Sequence, residues 1–166
     1  MQVGILGTGA MGSTHAAGWA ATPAEIAGFV STNSKTARDL ADRYQANVYP
    51  NFEAILADVD VVDICTPTHL HYMQVLQAAE AGKDIVCEKP LARTVPDAQA
   101  MIAACQRAGV KLLVAHVVRF FPEYAQAKAV VTNGDIGQTA VVRLTRGTFR
   151  PKKAVDNWFT DFEKSG

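Results

Sequence analysis

The sequence has no excess of charge of either sign. Sixteen basic residues balance sixteen acidic ones, and charged residues are only 19% of the 166. A surface without net charge does not draw in a polyanion, so neither nucleic acid nor an anionic membrane is expected as a partner. Cysteine is scarce: Cys65, Cys87 and Cys105 are an odd number, far apart, with no CxxC pair. They read as reduced thiols of a cytoplasmic protein, buried as small apolar residues, and no metal site is expected. No apolar run approaches the roughly 20 residues of a membrane span. The chain starts directly on a strand, without a basic-then-apolar leader, so no signal peptide is expected. What remains is a globular composition, 49% hydrophobic, with room for one domain and part of another.

Short β-branched runs at 2–6, 25–30, 60–64, 84–87 and 111–115 alternate with helical patterns. The runs are continuously apolar, as parallel strands covered on both faces are. Between them, Thr94-Val-Pro-Asp97 resembles a capping box, Ala98, Met101, Ile102 and Cys105 share a helical face, and Gly109 stops the helix. A second helix is expected from Thr68 to Ala81, with Thr68 a plausible N-cap and Gly82 ending it. Strands alternating with helices imply right-handed βαβ units and an α/β fold, a doubly wound parallel Rossmann sheet. After Ala115 the texture changes. Pro122 opens a helix that Gly134 ends, residues 138–146 read as a partly alternating strand without a partner, and 151–166 show no pattern. The expectation is a dinucleotide-binding domain over 1–120 and, over 121–166, the truncated start of a second, α+β domain. The unpartnered apolar strand suggests self-association into a homo-oligomer.

Gly7-Thr-Gly9-Ala10-Met11-Gly12 directly follows the first strand and opens a helix. In that setting Gly7 permits the tight turn, Gly9 lets backbone approach a pyrophosphate, and Gly12 lets helix and strand pack closely. The helix start, with Ala10 and Met11, offers free N–H groups and a partial positive charge. Enzymes that prefer NAD usually carry a carboxylate at the end of the second strand, on the ribose 2′-hydroxyl. Here that strand ends in Ser31-Thr32-Asn33, followed by Lys35 and Arg38. Hydroxyls and cations can accept a 2′-phosphate that a carboxylate would repel, so NADP is expected over NAD. An ordinary solvated helix face explains Lys35 and Arg38 nearly as well.

Several segments together make the chain resemble the Gfo/Idh/MocA oxidoreductases, the family of glucose–fructose oxidoreductase and inositol dehydrogenase. They are the glycine loop with His15 three residues after Gly12, Asp63-Ile-Cys-Thr-Pro-Thr-His-Leu-His71, and Ala81-Gly-Lys-Asp-Ile-Val-Cys-Glu88-Lys89-Pro90. Arg119-Phe120 and Gly134-Asp-Ile-Gly137 are similar to the family's passage into its second domain. The resemblance implies hydride transfer between a sugar, polyol or related carbinol and a nicotinamide cofactor. It implies a catalytic role for Lys89 and cofactor contacts at Thr66, Pro67, His71, Glu88, Lys89 and Arg119. His116 matches only in part, and His69 is expected on the surface. Pro90 restricts Lys89 to extended backbone, at the carboxyl end of a strand, where open α/β sheets place ligands. A lysine there can orient a substrate hydroxyl, and can exchange its proton where burial or a nearby cation assists. Without the resemblance, a lysine paired with Glu88 on a loop would be the simpler reading. His69 and His71, two residues apart on a helix, do not share a face, which argues against a metal pair. In the family a further Asp…His segment follows a Ser-Gly-Gly stretch, whereas this sequence runs to Lys164-Ser165-Gly166. Little turnover is therefore expected from these 166 residues alone, and a dinucleotide-binding module without turnover is the alternative.

Overall fold

The computed structural model describes residues 1–145, 147 and 161–165. Six strands form one sheet: β1 (Gln2–Leu6), β2 (Glu25–Val30), β3 (Asn47–Val48), β4 (Val61–Ile64), β5 (Asp84–Glu88) and β6 (Leu112–Ala115). All pairs are parallel, in the order β3-β2-β1-β4-β5-β6. The order reverses between β1 and β4, which opens a crevice at the carboxyl ends of the strands. The α/β, doubly wound reading of the sequence is the fold found. It missed β3, two residues that pair with β2 and carry no apolar run.

The helices of the first unit are α1 (Ala10–Ala20), α2 (Ser34–Tyr44), α3 (Phe52–Leu56), α4 (Thr68–Glu80) and α5 (Val95–Ala108). They cover both faces of the sheet. On one face Val3, Ile5 and Phe29 pack with Ala16, Leu40 and Ala41; on the other Leu6, Val62, Ile64 and Ile85 pack with Ile55, Val75, Ala78 and Met101. Each large aliphatic side chain buried this way contributes about 1.5–3 kcal/mol. The strands are continuously apolar because both faces are covered. α5 starts as its sequence suggests: the Thr94 hydroxyl accepts from the Asp97 amide, and Gly109 closes the helix at φ 71°. Met101 and Cys105 are buried on the expected face, whereas Ile102 stays exposed. Thr68 is not the cap of α4. Pro67 holds that position without a side-chain cap, and Thr68 is buried in the first turn.

The chain divides into two compact units, parting between Ala115 and His116, and residues 161–165 belong with the first. Their short helix α7 (Phe162–Ser165) packs against α4, and Arg93 Nη2 lies 3.4 Å from Glu163 Oε2. The second unit holds a 3-10 turn at Val117–Phe120 and α6 (Pro122–Asn133), which Gly134 ends at φ 78° as expected. The strand expected at 138–146 is not formed over the described residues 138–145, which are irregular and exposed. A strand exists by pairing, and among the described residues nothing pairs with this one. Position 146 and most of the tail from 151 lie outside the described residues.

Candidate functional site: the carboxyl ends of the strands

The ends of adjacent strands bring the expected residues together. The Gly7 amide donates to Val30 O at 2.8 Å and the Cys65 amide to Leu6 O at 2.8 Å, so the turns after β1, β2 and β4 are aligned. The Lys89-Pro90 turn follows β5, the next strand over from β4. Gly7 has φ 88°, and a Cβ there would stand 2.8 Å from Cys65 O. Gly12 is tighter still, since a Cβ would meet Gly7 O at 1.9 Å. These two glycines let α1 start directly on the strand turn. Gly9 differs: a Cβ there would meet nothing within 4 Å. It precedes α1, whose start has no side-chain cap, so an open shelf lies beside first-turn amides. Such a shelf, with Ala10 and Met11 on it, fits a dinucleotide pyrophosphate.

Next to it, hydroxyls tie the loop to β2. Thr8 Oγ1 donates to Ser31 Oγ at 2.7 Å and also contacts the Thr36 hydroxyl. Asn33 caps α2 by accepting from the Lys35 and Thr36 amides at 3.1 and 3.2 Å. Thr32 is exposed, no carboxylate stands at the end of β2, and Lys35 Nζ pairs with Asp39 at 2.7 Å on the solvated face of α2.

Around β4 and β5 the polar groups are buried. Asp63 is fully buried and Glu88 nearly so. Between them sits His15. Its Nδ1 is 3.0 Å from both Asp63 oxygens, and its Nε2 is 3.1 Å from Glu88 Oε1. The Trp19 indole donates to Asp63 Oδ2 at 2.6 Å, and the Cys65 thiol lies 3.6 Å from Oδ1. The hydrogen bond to Asp63 raises the His15 pKa; burial opposes this, and the charges of Asp63 and Glu88 reinforce it. Burial, helped by Asp63, pushes the Cys65 thiol up. Although His15, Asp63 and Cys65 bring three donor atoms within 4.8 Å, the thiol is held protonated and Asp63 is met by N–H and S–H donors.

Glu88 does not pair with the Lys89 ammonium, the simpler reading of that dipeptide. Its Oε2 accepts the Lys89 main-chain N–H at 3.0 Å. Lys89 is exposed, and among the described residues its amine makes no ion pair. The buried His71 ring lies between two backbones, Nδ1 3.0 Å from Pro90 O and Nε2 2.9 Å from Thr66 O. It thus joins the turn after β4 to the turn after β5. The Thr66 hydroxyl donates to Gln74 Oε1. Arg119 falls on the turn Val117–Phe120 of the second unit; every other expected site residue is in the first. Sequence reading passed over His15, Trp19 and Asp63 as working groups. One signal was available: a carboxylate within the apolar run Val61-Val62-Asp63-Ile64, since a buried aspartate requires partners.

Comparisons with known proteins agree with this geometry. The family model of the Gfo/Idh/MocA oxidoreductases, described as an oxidoreductase family with an NAD-binding Rossmann fold, matches residues 1–116. Levoglucosan dehydrogenase of Pseudarthrobacter phenanthrenivorans is 35% identical over 97% of this chain and 42% of its own. The inositol 2-dehydrogenase/D-chiro-inositol 3-dehydrogenase of Shouchella clausii is 32% identical over 97% of this chain and 48% of its own. A levoglucosan dehydrogenase solved with NADH and levoglucosan superposes with a TM-score of 0.77 at 36% identity, over 83% of this chain and 40% of that one. The chain therefore spans less than half the length of these relatives. Among the described residues no helix is long and apolar enough to cross a membrane. With a glycine loop at the switch point of a doubly wound sheet, the Glu88-Lys89-Pro90 segment at the end of β5, and the family model matched over residues 1–116, the chain belongs to the Gfo/Idh/MocA oxidoreductase family.

Proposed function

We propose that this chain is the cofactor-binding part, 1–120 with the opening of a second domain from 121, of a nicotinamide-dependent dehydrogenase that acts on a carbinol of a sugar or polyol. The observation that carries the reading is the open shelf at Gly9, next to uncapped α1 amides, on the sheet whose strand β5, one beyond β4, leads to Lys89. The loop from Gly7 to Gly12, with the Ala10 and Met11 amides, holds the pyrophosphate. Ser31, Thr32 and Asn33, with Lys35, meet the adenosine ribose. Thr66 and Pro67 meet the nicotinamide ribose, and His71 serves the site by fixing their backbone to that of Pro90. When bound, the nicotinamide supplies the hydride acceptor. Lys89 orients the substrate hydroxyl and exchanges its proton, while Glu88 holds the Lys89 backbone.

NADP is the preferred cofactor on the absence of a carboxylate after β2. NAD is the competing reading, favoured by a relative solved with NADH. Three free cysteines support a cytoplasmic location.

Titration of the purified chain with NADPH and NADH, read by nicotinamide fluorescence, tests the proposal. Binding of both is expected, with NADPH the tighter. Tighter NADH overturns the preference, and binding of neither overturns the function. A panel of sugars and polyols then separates enzyme from binding module: turnover abolished by Lys89→Ala shows the former, and cofactor binding without turnover the latter.

A further inference from the structure

We infer that His15 is a positioning residue for Lys89: by bridging the buried carboxylates of Asp63 and Glu88 it fixes, through Glu88, the backbone from which Lys89 projects. The inference rests on the reading of Lys89 as the group that meets the substrate hydroxyl. The hydrogen-bond inventory decides the matter. Both nitrogens of the His15 ring face carboxylate oxygens, which only accept, so only the doubly protonated ring donates to both. Asp63 has further donors, the Trp19 indole and the Cys65 thiol. Glu88 has less. Among the described residues, its carboxylate is met only by His15 Nε2 and by the Lys89 amide.

Losing the His15 proton therefore falls on Glu88. A buried carboxylate short of a donor pulls away from its remaining partner or draws in water, and either motion releases the Lys89 amide. The ring is also anchored from the cofactor side. It lies one turn beyond Gly12 on α1, the helix seated against Gly7 O. The pyrophosphate loop and the Lys89 turn are thus joined through one imidazolium. Facing that ring are Asp63 on β4 and Glu88 on β5, with Trp19 and Cys65 against Asp63.

Amide hydrogen exchange at Lys89, corrected for the intrinsic rate, tests this in the unsubstituted chain, alongside 15N shifts of the His15 ring. Protection of the Lys89 amide should fall roughly tenfold as the ring loses its second proton, the scale of a hydrogen bond to a charged group. Reductive methylation with 13C supplies a second readout, the Lys89 methyl resonance, assigned through Lys89→Arg. It should move at the His15 midpoint. In Glu88→Gln that movement should vanish while His15 still titrates. A Lys89 amide and methyl signal indifferent to His15 protonation, or a methyl response that survives Glu88→Gln, overturns the inference. If the Lys89 response is found but neither NADH nor NADPH binds, the positioning role stands and the dehydrogenase reading falls.

Discussion

Charged groups inside a parallel sheet are the feature on which the residues of this site turn. Asp63 occupies the middle of β4, where both faces are covered, and Glu88 ends β5. An isolated buried carboxylate would be driven to its neutral form at a cost of several kcal/mol. Here the His15 ring, whose pKa the hydrogen bond to Asp63 raises, and the Trp19 indole meet the carboxyl oxygens. His15 therefore binds its proton more tightly in the folded chain than in the unfolded one. Stability from that proton is complete below the ordinary imidazole value of about 6.5 and is lost as the pH rises through the higher folded value. Calorimetry from mildly acidic to alkaline pH should show the unfolding temperature falling across that window. His15→Gln should be less stable at acidic pH and should lack this component. An identical pH profile in the variant would show that the proton does not matter to the fold.

At the scale of elements, α1 is set by steric need more than by its own stripe. It buries only Gly12 and Ala16. Its placement comes from the contact of Gly12 with Gly7 O, which leaves no space for a side chain. Gly12→Ala should lower stability by at least about 2 kcal/mol in urea titration, because backbone must move to admit the methyl. Gly9→Ala should show the opposite profile. Stability should stay within about 0.5 kcal/mol, while affinity for the nicotinamide cofactor falls roughly tenfold or more, since the methyl enters space the ligand needs. Equal cofactor affinity in the Gly9 variant would remove the shelf from the proposed site. The two glycines illustrate what is legible locally. Their spacing after a strand announces the turn, and the helix ends at Gly109 and Gly134 follow from the same backbone freedom. β3 was not legible, because two residues paired only with β2 owe their conformation to the neighbouring strand. The segment 138–145 failed for the mirror-image reason: its alternation is strand-like, and no partner among the described residues realises it.

For the whole molecule, the side chains of Val141, Val142 and Leu144, with exposures of 83%, 67% and 79%, form an apolar surface from which association between copies is expected. Light scattering should give a mass above that of a monomer, and Val142→Lys should lower it; a monomer at micromolar concentration would refute self-association. What the sequence by itself determined is carried by short spacing: the parallel strands other than β3, the two ends of α5, the glycine loop and the Lys89-Pro90 turn. Each depends on neighbours within a few residues, and backbone sterics or side-chain periodicity suffice to write it. Only tertiary structure decided that His15, Asp63 and Glu88 meet. They stand 48 and 73 residues from one another along the chain as His15 meets first Asp63 and then Glu88. The reversal of strand order puts β4 beside β1 and β5 beside β4, and a buried polar group is known only by the partners that such a reversal brings to it.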